Sequence, residues 1–459
     1  MANSDTHEKP HAIFIPYPLQ GHVNPSVHLA IKLASRGFTI TFINTHSIHH
    51  KLLNTSKAQP NTDDHHDIFS SVRDSGLDIR YTTISDGLPL EFDRSLNHDQ
   101  FMAALLHVFS AHVEEAVGKI VSSEQPRACC LIADTFFVWP STIAKKFGLC
   151  FVSFWTEPTL VFTLYYHLHL LRINGHYGCH ETREDTIDYI PGVQALEPRN
   201  MMSYLQDTDT STVCHQINEK AFQDARGADF VLCNTVEELE SETTSALQAK
   251  MPFYTIGPIF PSGFTKSNVA TSLWSESDCT QWLNNKPHGS VLYVSFGSYA
   301  HVSKRVLLEI ANGLLLSNVD FVWVLRPDIV SSDDADPLPV GFREEVGDRA
   351  MIVPWCCQTA VLTHPAIGGF LTHLVDDWKI GINLNNRRLI TKEEVSENIN
   401  HLMSGKLGDE NRKAISQVRN TLENALTPNG SSERNLDQFI KDLKARIPWR
   451  YGIIPAQQK

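Results

Sequence analysis

Apolar residues in this chain fall into short runs, separated by stretches whose apolar positions recur every three or four residues. That alternation predicts strands and helices in turn. His11–Pro16 is a short apolar run and reads as a strand. Asn24 suits a helix N-cap and Pro25 the first helical position. Val27, Ala30, Ile31 and Ala34 then share one helical face. Gly37 fits the helix stop, and Phe38–Ile43 reads as a second strand. This β-α-β unit predicts a parallel sheet.

Similar units follow. Cys129–Ala133 reads as a buried strand ending at Asp134, and Asp229–Cys233 as another. Pro261–Ser272 is rich in Ser, Thr, Asn and Gly and has little periodicity, which marks a linker. Beyond it the alternation restarts. Val291–Phe296 reads as a strand, Gly297-Ser298 as a tight turn, Lys304–Leu316 as a helix and Phe321–Leu325 as the next strand. Thr391-Lys392-Glu393-Glu394 is a capping box opening a helix towards Ser404, with Gly405 as its stop. Helical patterning continues to about Arg446. The expected architecture is α/β, with two doubly wound domains facing a cleft. The expected boundaries are a first domain over 1–255, a linker over 256–275, a second domain over 276–440 and a tail over 441–459.

Composition narrows the function. The chain has 459 residues and a formal net charge of -13, which disfavours a broad electrostatic footprint on nucleic acid. Its nine cysteines are odd in number and show no C-x-x-C spacing, so reduced thiols in a cytoplasmic protein are expected. Met1–Pro10 is polar and has no apolar core of the kind a signal peptide needs. The most apolar stretch, Leu149–Leu171, is broken by Glu157 and Pro158, and the run after them is about 13 residues, too short to span a bilayer. His46, His49 and His50, with His65 and His66, lie in a polar stretch that reads as a solvated loop, and no metal is expected.

Two residues at predicted strand ends could carry chemistry. His22 follows the first strand, where ligands bind in open α/β sheets, and an imidazole there can accept a proton near neutral pH. The alternative is a helix-entry histidine that only caps or packs. Asp134 ends another strand and could orient and stabilise such an imidazole. The alternative is a turn or cap aspartate. Ser295-Phe296-Gly297-Ser298 brings a glycine turn to a helix entry, where backbone amides can meet phosphate. No G-x-G-x-x-G, P-loop or G-x-S-x-G motif is present, so nicotinamide, P-loop and α/β-hydrolase readings lose their main support.

The segment Trp355-Cys356-Cys357-Gln358, followed by His364-Pro365-Ala366-Ile367-Gly368-Gly369-Phe370-Leu371-Thr372-His373, resembles the first part of the box of plant family 1 UDP-dependent glycosyltransferases. Gln20-Gly21-His22-Val23-Asn24-Pro25, the Asp134 strand end and Ser295–Ser298 match the same family, and the resemblance runs from about His11 to Ile447. It implies the GT-B fold, with two Rossmann-like domains, the acceptor in the first and the UDP-sugar in the second, and a tail returning to the first. It implies transfer of a sugar, UDP-glucose being the expected donor, to a hydroxyl of a small lipophilic acceptor with inversion. His22 would be the general base and Asp134 its partner. Trp355 would stack on uracil, Cys356 and Gln358 would contact base and ribose, and Ser298 and His373 would meet the diphosphate. Tyr17, Phe136, Trp155 and Phe162 are expected near the acceptor, or else as plain core packing. The implied partners are these two small molecules, with no further cofactor. Cys357 stands where the family more often has proline.

After His373 the family continues with C-G-W-N-S, a glutamate, a buried strand and an Asp-Gln pair. This chain goes directly to Leu374-Val375-Asp376-Asp377-Trp378-Lys379-Ile380-Gly381-Ile382-Asn383-Leu384. Roughly thirty residues are missing by the family pattern, so the second domain should lack a helix-strand segment. Hydrogen bonds to charged groups contribute about 1.5–3 kcal/mol each. Losing three removes on the order of 5 kcal/mol of donor binding, more than a thousandfold. A separate argument needs no family. Ala366–Thr372 and Ile380–Leu384 both read as strands, and the stretch between them, His373–Lys379, is shorter than the dozen or more residues a parallel crossover needs. The alternatives to a working enzyme are a non-catalytic relative and an exon-skipped product that does not bind UDP-sugar.

Overall fold

The computed structural model describes residues 9–56, 67–123, 128–179, 183, 185–259, 269, 272–299, 301–330, 336–372 and 390–447. Two parallel sheets organise them. The first contains β1 (His11–Ile15), β2 (Thr39–Thr45), β3 (Ile79–Ile84), β4 (Ala128–Asp134), β5 (Cys150–Trp155), β6 (Phe230–Cys233) and β7 (Phe253–Thr255), in the order β3-β2-β1-β4-β5-β6-β7. The second contains β8 (Val291–Ser295), β9 (Asp320–Val324), β10 (Ala350–Val353) and β11 (Ile367–Leu371), in the order β10-β9-β8-β11. Every pairing between neighbouring strands is parallel.

Parallel strands are covered by helices on both faces, so they are apolar at nearly every position. The five residues of β1 are all buried, as are those of β8. Strand order reverses beside β1 in the first sheet and beside β8 in the second. Those two switch points are where an open α/β sheet forms a crevice. β11 differs from β8: four of its five residues are only half-buried, and it is the last strand of its sheet among the described residues. Ile380–Leu384, expected as a further strand, lies outside the described residues, as do His65 and His66.

Three local expectations are corrected. The first helix runs from Gln20 to Ser35, so Asn24 is not its cap and Pro25 lies inside it. Pro25 takes one helical donor from the Gly21 carbonyl, and Gly21 is exposed. The His46 tract is not a loop. It is a helix, His46–Ser56, held by Ile48 and Leu52, four residues apart and both buried. Gly405 does not end the helix Lys392–Met403 as a stop but opens the next, Gly405–Ala425. The capping box is formed as expected, with the Thr391 side chain accepting from the Glu394 amide at 3.3 Å.

The last described helix, Ser431–Arg446, returns to the first sheet. Leu436, Phe439, Ile440 and Leu443 join the core of β1, β2, β4 and β6. Phe439 lies edge-on to Phe230, 5.6 Å between ring centres, and the Tyr254 hydroxyl donates to Asp442 at 2.8 Å. No helix among the described residues is long and apolar enough to cross a membrane.

Candidate active site

The carboxyl ends of β1 and β4 are neighbours, and each delivers one polar side chain to the crevice between them. β1 leads through Tyr17 into the helix whose first turn carries His22. β4 ends at Asp134. The His22 Nδ1–H donates to Asp134 Oδ2 at 2.7 Å, and the two side chains are 12% and 1% exposed. The other carboxylate oxygen accepts from the Phe136 amide at 3.0 Å, which fixes the aspartate to its own turn. Thr156, one residue beyond β5, places its hydroxyl 3.1 Å from the same imidazole nitrogen. Nδ1 is thus engaged, and Nε2 is the nitrogen left to exchange a proton.

Burial by itself lowers the His22 pKa. The Asp134 charge, the hydrogen bond to it and the charge of Glu157 outweigh that effect, and the pKa is raised above the ordinary imidazole value. Glu157 is itself shifted upwards by burial.

The expected aromatic residues divide into two layers. Tyr17 and Phe136 flank His22, each with its ring centre 5.6 Å from the imidazole. Tyr17 donates to Met102 Sδ at 3.1 Å. Trp155 and Phe162 stand behind them with no exposed surface, packed on Phe222, and Trp155 Nε1–H is bonded to the Pro158 carbonyl. They shape the wall behind Phe136 rather than face the crevice.

On the second sheet, Ser298 follows β8 and lines a cleft of about 500 Å³, open to solvent, together with Gln20, Lys51, Arg94, Trp274 and Tyr299. The cleft is therefore built from both sheets. Trp355 is buried with one face on Trp274, 6.3 Å between ring centres. The Cys356 thiol lies 3.7 Å from the Tyr293 hydroxyl. Gln358 opens the short helix Gln358–Leu362 and is exposed. Cys357, preceding it, has φ -69°, a value proline itself adopts. His373 lies outside the described residues.

Several site residues escaped the sequence. Thr156 is one, and its only signal was its place beyond a strand's carboxyl end. Gln20 Oε1 and Asn24 Oδ1, on the helix of His22, are buried without a protein partner among the described residues. Tyr299 joins the two sheets: its hydroxyl donates to the Arg94 carbonyl at 2.8 Å and accepts from His98 Nδ1 at 2.8 Å. Arg94 is buried in a bidentate pair with Asp86, at 2.7 and 2.9 Å. His98, Asp99 and Cys214 also bring three ligand-type atoms within 4.8 Å of one another.

Residues 234–376 match the family described as UDP-glucoronosyl and UDP-glucosyl transferase. UDP-glycosyltransferase 86A2 of Arabidopsis thaliana is 55% identical over 479 aligned positions, covering 97% of each chain. UDP-glycosyltransferase 86A1 of the same plant is 53% identical, covering 96% of this chain and 95% of its own. The first alignment is longer than the 459 residues of this chain, so at least 20 of its positions, 479 less 459, hold no residue of it. Among solved structures, Os79 from O. sativa in complex with UDP superposes with a TM-score of 0.75, at 21% identity and covering 94% of this chain and 100% of that one.

Proposed function

Because the chain belongs to the plant UDP-glycosyltransferases, we propose that it transfers glucose from UDP-glucose to a hydroxyl of a small lipophilic acceptor, with inversion at the sugar carbon. The observation that carries the reading is the 2.7 Å contact of His22 with Asp134 at the first sheet's switch point. Tyr17 and Phe136 offer an apolar wall beside it. His22 Nε2 takes the acceptor's hydroxyl proton. The acceptor oxygen forms a bond to the anomeric carbon from the side opposite UDP, and the bond from that carbon to the phosphate oxygen breaks with its electrons leaving on UDP. Asp134 stabilises the imidazolium formed. Ser298 and the turn after β8 meet the charge that develops on the diphosphate. Incubation with UDP-glucose and a panel of phenols and alcohols should release UDP with glycosylated product, and His22→Ala should abolish it. No turnover across the panel refutes the reading.

A second reading is that the chain holds an acceptor but not a UDP-sugar. The alignment positions that this chain leaves empty and the half-buried edge strand β11 support it. Calorimetry separates the two. Micromolar UDP affinity excludes the second reading, and absence of binding excludes the first.

A further inference from the structure

We propose that His98, Asp99 and Cys214 form a binding site for one divalent ion of the zinc class, at the rim of the acceptor pocket. His98 opens the helix His98–His107, and Cys214 lies in the first turn of Val213–Ala225. His98 Nε2 is 3.2 Å from Cys214 Sγ, and the Asp99 carboxylate completes a set of donor atoms within 4.8 Å of one another. A tetrahedral zinc ion with bonds of ~2.0 Å to nitrogen and ~2.3 Å to sulfur holds those two ligands about 3.6 Å apart. The histidine–cysteine pair already sits near that spacing.

The imidazole is also set in the right tautomer. Tyr299 spends its one hydroxyl proton on the Arg94 carbonyl, so its oxygen accepts from His98 Nδ1–H. The Nε2 lone pair is left facing the sulfur. A hydrogen bond from the far ring nitrogen is how proteins orient metal-binding histidines. The metal-free sulfur carries a proton, as an ordinary cysteine thiol does near neutral pH. Binding forms the metal–sulfur bond and releases that proton to solvent. Asp99 is exposed and gives the ion a way in. Nitrogen, sulfur and oxygen donors together suit zinc and cobalt(II), with water in the fourth position.

The place of the site gives it a consequence. Leu105 and Leu106 from one helix and Ile217 from the other lie together with Tyr17 and Phe136. An ion clamping the two helix starts stiffens the wall that meets the acceptor, and through Tyr299 it ties that wall to the second sheet.

The test is titration of the chelator-stripped, full-length chain with Co²⁺. One equivalent should develop a thiolate-to-cobalt charge-transfer band and the visible bands of tetrahedral cobalt, and Zn²⁺ should displace it. Cys214→Ser should lose the charge-transfer band. Asp99→Asn, at an exposed position, should bind about tenfold or more weakly. Cys179→Ser, whose thiol donates to the His176 carbonyl, should bind as the wild type does. No band in the wild type, an undiminished band in Cys214→Ser or an unchanged affinity in Asp99→Asn overturns the proposal.

Discussion

Replacing Asp134 by Asn keeps the side chain's shape and removes its charge, so it isolates what the carboxylate does for His22. In the wild type the carboxylate charge and its 2.7 Å hydrogen bond overcome the lowering effect of burial and raise the imidazole pKa. With those two contributions gone and burial unchanged, the pKa must fall. In the proposed mechanism the base works in its neutral form, so activity should rise with pH as His22 loses its proton. The acidic limb of the kcat/KM profile therefore moves to lower pH in the variant, while the plateau drops. A hydrogen bond to a charged group contributes about 1.5–3 kcal/mol, which corresponds to a loss of about tenfold to 150-fold. If the new amide turns its NH₂ towards Nδ1, the ring proton moves to Nε2 and the base is blocked. The loss then approaches ~10⁴, the scale of the equivalent change in a Ser-His-Asp triad. Two measurements check this: pH-rate profiles of UDP release, and NMR titration of the ¹⁵N-labelled imidazole, which reports even without turnover. A variant with wild-type kcat/KM and an unmoved His22 titration would refute the reasoning.

Restoring a family-consensus segment after His373 should tighten UDP-glucose binding by about 5 kcal/mol, more than a thousandfold, and calorimetry with and without the insert reads it directly. Arg94→Met leaves Asp86 buried without its bidentate partner and should cost about 3–5 kcal/mol, seen as a lower urea midpoint. Phe439→Ala empties the contact with Phe230 and Tyr254 and should cost about 3–5 kcal/mol in the same assay.

Seven strands were readable because a parallel strand buried on both faces must be an apolar run; β3, β5, β7 and β10 were not read, and the apolar run Thr159–Tyr166 is a helix. Helix starts were less readable. Asn24 and Pro25 look like a helix entry by local preference, yet the helix begins at Gln20, because it must start directly beyond the β1 turn to aim His22 at β4. The histidines of His46–Ser56 hid an ordinary amphipathic signal, Ile48 and Leu52. His22 and Asp134 could each be nominated from a strand end. Their pairing across 112 positions is a property of strand order, which no local pattern carries. Thr156 and Tyr299 were invisible for the same reason: each gains its role from a neighbour brought in by topology. The two layers of the aromatic wall were also beyond reach, since Trp155 and Phe136 differ in depth and not in residue character.

The return of helix Ser431–Arg446 to the first sheet has a consequence for biosynthesis. The ribosome finishes β7 at Thr255 about 175 residues before it begins that helix. At typical elongation rates of ~5–20 residues per second, the nascent first half waits roughly ten to thirty-five seconds with its Phe230 and Tyr254 face uncovered. During that interval the emerging chain is the form most exposed to chaperones and to self-association. A stop codon upstream of residue 431 would leave that patch bare for the lifetime of the product.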